Sequence, residues 1–325
     1  MSGRGLALLL ALLALALLAA LVFGEVRLAP GEIWDVLNGH GDATARTILL
    51  DFRLPRALVA MAVGAALACS GVLMQSFFRN PLASPGLLGV SSGGALGAVL
   101  AFAFGWASTS LWALPLASIA GAFLATVAVI ALAREGASTE HLLLAGVALN
   151  ALFGAGTSFV LTLKAGHFEE GGQILFWLMG GLESRTWEHV WISLPGVVLA
   201  CLLVLPSARA LNLLAMGEQG AQSLGVNVRR LRWELILLST VLTALATAVG
   251  GVVGFVGLIV PHLLRLAFGP DHRRLLPLSM LGGAAFVLAC DLVARTMPGQ
   301  LRLGVVTALA GGPFFLWMLK RGGRS

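Results

Sequence analysis

Gly89-Val90-Ser91-Ser92-Gly93 spells the G-x-S-x-G pattern of a serine nucleophile. That chemistry needs a strand-to-helix elbow and a histidine–carboxylate pair to activate the hydroxyl. Here the pattern opens a long apolar segment, and the six histidines show no corresponding arrangement. Small residues for close helix packing are the better reading; an intramembrane hydrolase using Ser91 is the alternative. His262, in the run Ile-Val-Pro-His-Leu-Leu-Arg, suggests either haem ligation or an ordinary helix-end residue. Cys69, Cys201 and Cys290 fall in apolar segments at unrelated spacings, as small buried side chains do. No H-E-x-x-H, C-x-x-C or Gly-Lys pair occurs, so the chain has no P-loop for ATP and no metal site is expected.

The elements that would position these residues are membrane spans. Of 325 residues, 58% are hydrophobic and 11% charged, with mean hydropathy +0.93. A soluble domain carries about 25% charged residues. The expected fold is an all-α polytopic membrane protein, a single domain over 1–325. Crossing a bilayer takes about 17–25 apolar residues. Ten segments qualify: 6–23, 57–78, 86–105, 112–133, 141–163, 190–208, 233–250, 252–268, 275–294 and 303–319. The first is too long for a signal-peptide core and reads as a retained span. The seventh and eighth run together through Gly250-Gly251, so nine spans is the competing count.

Charge sets the orientation. With the N-terminus inside, 13 Lys/Arg and 5 Asp/Glu face the cytoplasm, against 8 and 10 outside. The positive-inside rule therefore puts both termini in the cytoplasm. Trp106, Trp112, Trp187 and Trp191 mark the outer interface, Trp233 and Trp317 the inner one. Gly71-Val72 with Pro81 recurs as Gly251-Val252 with Pro261. This spacing suggests an inverted repeat of spans 2–5 and 7–10, a transporter device.

Three places stand out on this frame. Arg53, Arg56 and Arg295 sit at outer ends of spans against the charge bias, so each needs a reason: docking of a partner, or local pairing with Asp51, Asp291 or lipid phosphate. The longest inner loop, 216–232, reads as two short helices, Glu218 to Leu224 stopped by Gly225, then Val226 to Arg232. It suits docking of a cytoplasmic partner or is an ordinary basic inner loop. Asn80, Leu82, Ser138 and Thr139 lie where helix-terminating and N-capping signals end spans two and four.

The stretch from Arg53 to Gly94, RLPRALVAMAVGAALACSGVLMQSFFRNPLASPGLLGVSSGG, closely resembles the permease subunits of bacterial importers of iron-siderophore complexes, haem and cobalamin, the FecCD family. AQSLGVNVRRLR (Ala221 to Arg232), GFVGLIVPHLLRL (Gly254 to Leu266) and LGVVTALAGGPFF (Leu303 to Phe315) extend the resemblance over nearly the whole chain. It implies a homodimer in the bacterial inner membrane. Two ATP-binding cassette subunits would hold ATP and Mg, and a periplasmic or lipid-anchored binding protein would deliver cargo. Glu218, Ala221, Leu224, Gly225, Val226, Arg229 and Arg230 would form the ATPase-coupling element. Arg53, Arg56 and Arg295 would meet the binding protein. Asn80, Leu82, Ser138 and Thr139 would narrow the inner end of a pathway lined by spans two, five and eight. The family motifs do not choose among siderophore, haem and cobalamin. An ion-coupled carrier without an ATPase is disfavoured because Asp291 is the one carboxylate near a span. No role for nucleic acid is expected.

Overall fold

A computed structural model describes residues 3–132, 139–164 and 168–322. Among these, all regular structure is helical. A peripheral helix α1 (Gly3–Val22) leads through two short outer helices, α2 (Pro30–Leu37) and α3 (Ala43–Thr47), into the long α4 (Leu54–Phe77). Then follow α5 (Val90–Ala103), α6 (Ala113–Leu132), α7 (Thr139–Lys164) and a short α8 (Phe168–Leu178). The second half contains α9 (Trp187–Val204), α10 (Ala208–Ala215), α11 (Glu218–Ser223), α12 (Val228–Gly250), α13 (Val256–Phe268), α14 (His272–Thr296) and α15 (Leu303–Gly322). Among the described residues, seven helical segments are long and apolar enough to cross a bilayer; α5, α13 and α15 are shorter apolar helices. All ten expected segments are helical, with ends shifted by a few residues. The short helices α2, α3 and α8 had not been anticipated.

Helix α4 is the hub, buried along nearly its whole length and packed against α9, α12, α13 and α14. Between spans in lipid there is little hydrophobic drive, so association depends on close packing and hydrogen bonds. Both are present. A methyl group at Gly64 would collide with the Gly283 carbonyl on α14, and one at Gly283 with the Gly64 carbonyl. Gly71 meets the Gly257 carbonyl on α13 in the same way. Ser70 Oγ lies 2.7 Å from Ser239 Oγ and 2.8 Å from Thr243 Oγ1, fastening α4 to α12, and Thr126 reaches Thr240 at 3.0 Å between α6 and α12.

The contacts carry an internal symmetry. As α4 packs on α13 and α14, so α12 packs on α5 and α6; α5 lies along α6 as α13 lies along α14. These contacts relate α4–α6 to α12–α14, but the Gly-Val register does not place equivalent residues. Gly71 is a helix-crossing residue inside α4, whereas Gly251 lies in the break after α12 with φ +68. The better marker is the pair of breaks. Both α5 and α13 start after irregular backbone, at the left-handed residues Gly89 (φ +75) and Phe255 (φ +67).

At 14 and 13 residues, α5 and α13 reach only about 21 and 20 Å. Each therefore falls short of a roughly 30 Å hydrocarbon core, and irregular backbone at that depth must be satisfied by protein. On α7, Asn150 does this for the first break: its amide donates to the Gly86 carbonyl (2.9 Å) and its oxygen accepts from Ser92 Oγ (2.5 Å). For the second, Gly181 N–H reaches the Gly250 carbonyl (3.0 Å) from the loop after α8. The break at Gly251 divides the seventh and eighth segments into two helices.

Gly64→Val should lower the thermal unfolding midpoint of the detergent-purified protein, by overpacking worth about 1–3 kcal/mol or more. Gly31→Ala, where a methyl meets nothing within 4 Å, should leave it unchanged. Equal midpoints for the two variants would count against backbone contact as what sets the α4–α14 crossing.

Candidate functional site

The inner loop is built from two helix ends and a turn. Helix α11 stops at Gly225, whose φ of +85 suits glycine. Gly225 N–H bonds the Gln222 carbonyl and Val226 N–H the Ala221 carbonyl, the paired bonds of a Schellman stop. Asn227 then caps the next helix through Arg230 N–H at 3.0 Å. The expected second short helix, Val226 to Arg232, is not separate. Nothing breaks the chain between Arg232 and Trp233, so Arg229 and Arg230 occupy the first turn of α12. Arg230 pairs with Glu234 one turn on, at 2.8 Å. Ala221 and Val228 are buried under the loop, while Leu224 and Met216 present apolar surface outward.

Glu218 ties this loop to the bundle. Its Oε1 accepts from Arg79 Nη2 and Arg232 Nη2, both at 2.6 Å. Arg79 ends the α4 segment in a left-handed conformation (φ +47), and Arg232 also lies 6.0 Å above the ring of Phe77. Immediately after Arg79, Asn80 Oδ1 accepts from Leu82 N–H (2.9 Å), forming the turn toward α5. A single carboxylate thus ties the loop to Arg79, the residue just before the Asn80–Leu82 turn. Thr139 opens α7, while Ser138 lies outside the described residues.

Sequence reasoning missed the polar chain beside this junction. Ser76 Oγ lies 2.8 Å from His272 Nε2, whose Nδ1 lies 2.8 Å from Asn212 Oδ1; the Asn212 amide donates to Asp271 Oδ1 at 2.7 Å. Gln75 accepts from Arg265 (2.8 Å) and donates to the Gly257 carbonyl (3.2 Å). Asp271 lies outside the spans, held below the usual carboxylate range first by the Asn212 hydrogen bond and then by Arg273 N–H. No local pattern signals these contacts, because their partners come from different helices.

On the outer side, Arg53, Arg56 and Arg295 line one cleft of about 400 Å³ with Glu25, Glu183 and Gln300. Their guanidinium groups are largely committed inward. Arg56 grips Asp291 through three bonds of 2.9–3.1 Å, and Asp291 is 1% exposed. Arg295 stands 3.9 Å from the same carboxylate and donates to the Ala20 carbonyl at the end of α1 (2.7 Å). Arg53, 5% exposed, donates to the carbonyls of Leu21, Val22 and Val26. Of the readings offered for these arginines, pairing with Asp291 is observed for two, and Arg53 closes the end of α1 rather than pairing with Asp51. A π-helical turn, Ile48–Arg53, leads into this corner, and the Trp187 indole donates to its Leu50 carbonyl (2.9 Å).

His262 is not at a helix end but midway along α13, its ring 6.1 Å from that of Phe314. Among the described residues, no group of three or more His, Cys, Asp or Glu is placed to hold a metal. Cys69, Cys201 and Cys290 are buried free thiols.

Comparison with known proteins supports the same picture over the full length. The FecCD transport family model matches residues 12–321. The hemin transport system permease HmuU of Yersinia pestis is 43% identical, covering 96% of this chain and 94% of that protein. The vitamin B12 import permease BtuC of Shigella sonnei is 39% identical over the same shares. A solved metal-chelate type ABC transporter in an inward-facing conformation superposes with TM-score 0.87 at 36% identity, covering 96% of this chain and 97% of that one. With its helical bundle, its broken α4–α5 and α12–α13 pairs and its family match across nearly every residue, the chain belongs to the FecCD transport family.

Proposed function

We propose that this chain is the transmembrane permease of an ATP-driven importer that carries an iron chelate, a ferric siderophore or haem, across the bacterial inner membrane; cobalamin is the alternative cargo. What carries this reading is the full-length likeness to a metal-chelate ABC transporter, joined to haem and B12 permeases among the relatives. Ten spans with both termini in the cytoplasm fit the charge distribution, and two copies would enclose the pathway. ATP hydrolysis belongs to partner subunits, in keeping with the missing P-loop.

The inner loop is the proposed coupling element. ATPase subunits docked on the loop that carries Glu218, Ala221, Leu224, Gly225, Val226, Arg229 and Arg230, chiefly on its exposed Leu224 and its basic residues, would move α11 and the start of α12 together. Through Glu218 and Arg79 that displacement reaches the Asn80–Leu82 turn, giving the ATPase a short route to the proposed inner gate of Asn80, Leu82, Ser138 and Thr139. Differential binding of nucleotide to the two arrangements supplies the shift. On the outer face, the cleft around Arg56 is the proposed seat of a substrate-binding protein. Arg56 is the most reachable of the three arginines, with Arg53 and Arg295 holding the surface in shape behind it. An ion-coupled carrier is disfavoured, since Asp291 is already saturated by arginine. The hydrolase alternative loses ground because Ser92 beside Ser91 serves as a strut to Asn150.

Arg229→Glu with Arg230→Glu should weaken co-purification of the ATPase subunits by about tenfold or more, as like charge replaces complementary charge at a docking surface. Undiminished association and transport in that double variant would refute coupling through this loop. Glu218→Gln should leave ATPase association nearly intact yet cut transport several-fold. Transport at the wild-type rate would show that the carboxylate bridge transmits nothing.

A single cysteine at Leu82 should cross-link to its copy near the two-fold axis, which requires Cα atoms within about 7 Å. Cross-linking should change when nucleotide binds and should block transport until reduced. A locked dimer that still transports would remove the gate assignment.

A further inference from the structure

A second outer cavity, of about 330 Å³, opens between the end of α5, α8, the loop after it and the start of α15. Its walls hold more hydrogen-bond donors than the protein satisfies. Trp177 on α8 is 7% exposed, and its indole Nε1 has no hydrogen-bond partner. Arg185 lines the same cavity; its Nη1 lies 3.2 Å from His189 Nε2, but its Nε is buried without a partner. Burial lowers Arg185 to about 10 against the opposing pull of Glu183, so it stays cationic at neutral pH. Leaving a buried donor unpaired is costly, and two such donors on residues lining one cavity point to an acceptor there.

The charges define which acceptor. Arg302 pairs with Glu183 at 2.8 Å and stacks over Phe176 at 4.2 Å. Arg185 and Arg302 against Glu183 leave one net positive charge, which suits a monoanion better than a dianionic phosphate. A guanidinium and an indole N–H are donors of the kind a carboxylate accepts from. Phe102 and Phe176 beside them offer apolar wall to the body of a larger molecule.

Given the permease reading above, we propose that this cavity is an entry subsite that binds a carboxylate of the cargo at the outer mouth, with Trp177 and Arg185 as its donors. The shared chemistry, a carboxylate, has a second source in an acidic side chain of the binding protein, and the test separates the two.

The probes are haemin and its dimethyl ester, titrated against the purified complex of this chain with its ATPase subunits. The wild type should bind haemin about tenfold more tightly than the ester, the scale of one charge-assisted contact. Trp177→Phe, which keeps the ring and removes only the N–H, and Arg185→Gln should each bring that ratio toward one without weakening the ester. Unfolding midpoints would verify that both variants are folded. A ratio near one in the wild type, or unchanged in both folded variants, overturns the subsite. If Arg185→Gln instead slows association of the cargo-free binding protein while the wild-type ratio is near one, the carboxylate is the partner's and the cargo assignment falls. Absence of ATP-driven uptake by the wild-type complex would strike the permease reading itself, and the binding ratio is read independently of it.

Discussion

Helix α4 meets two of its four neighbours, α13 and α14, at crossing points that carry no side chains. Gly64 against Gly283 and Gly71 against Gly257 bring backbones together at distances that even a methyl group would forbid. In lipid, where leucine on leucine gains little over leucine on a lipid tail, such approach collects dispersion contacts that larger residues cannot make. Once the backbones are that close, short hydroxyls suffice to bridge helices. Ser70, Ser239 and Thr243 meet between α4 and α12, and Thr126 meets Thr240 between α6 and α12. The pseudo-symmetric arrangement and the shallow helices α5 and α13 are both hung on this centre.

Charge is used differently at the two ends of that core. Outside, Arg53, Arg56 and Arg295 turn inward onto Asp291 and the end of α1, so positive residues that orientation rules disfavour become internal fastenings. Inside, Arg79 and Arg232 converge on Glu218, which belongs to a loop rather than to a span. The outer cluster holds elements in place whatever the partner does. The inner cluster is only half-buried and joins a surface element to the hub, which is where a mechanical input could enter.

Much of this was legible in the amino-acid sequence. Apolar runs located every span-length helix, because twenty or so consecutive apolar residues have few other uses. Gly225 as a helix stop follows from glycine's backbone freedom, whereas the boundary at Gly250-Gly251 is blurred in the sequence because the apolar run continues through it. Short outer helices such as α2 and α8 were missed, since eight or eleven residues carry too weak a periodic signal against neighbouring loops. The partners of Arg53, the Asn150 strut and the Ser76–His272–Asn212 chain were not readable, since each joins residues far apart in sequence. The Gly-Val match that suggests an inverted repeat joins a helix-crossing glycine to one in a helix break, whereas the likeness between α4–α6 and α12–α14 lies in which helices touch, which local sequence does not display.

Helix α1 shows what long-range fastening entails for assembly. It is among the least buried of the spans, and one end is closed by Arg53 and by Arg295, the latter 275 residues downstream of Ala20. Its long packed face lies on α14. During synthesis α1 leaves the ribosome long before α14, and its seat does not exist until α14 has been made. Loop-closure entropy rises only logarithmically with separation, so the delay adds little to the equilibrium cost; what it sets is order. A helix made early is among the last to be locked, and until then it remains an independent rod in the lipid beside a bundle still under construction.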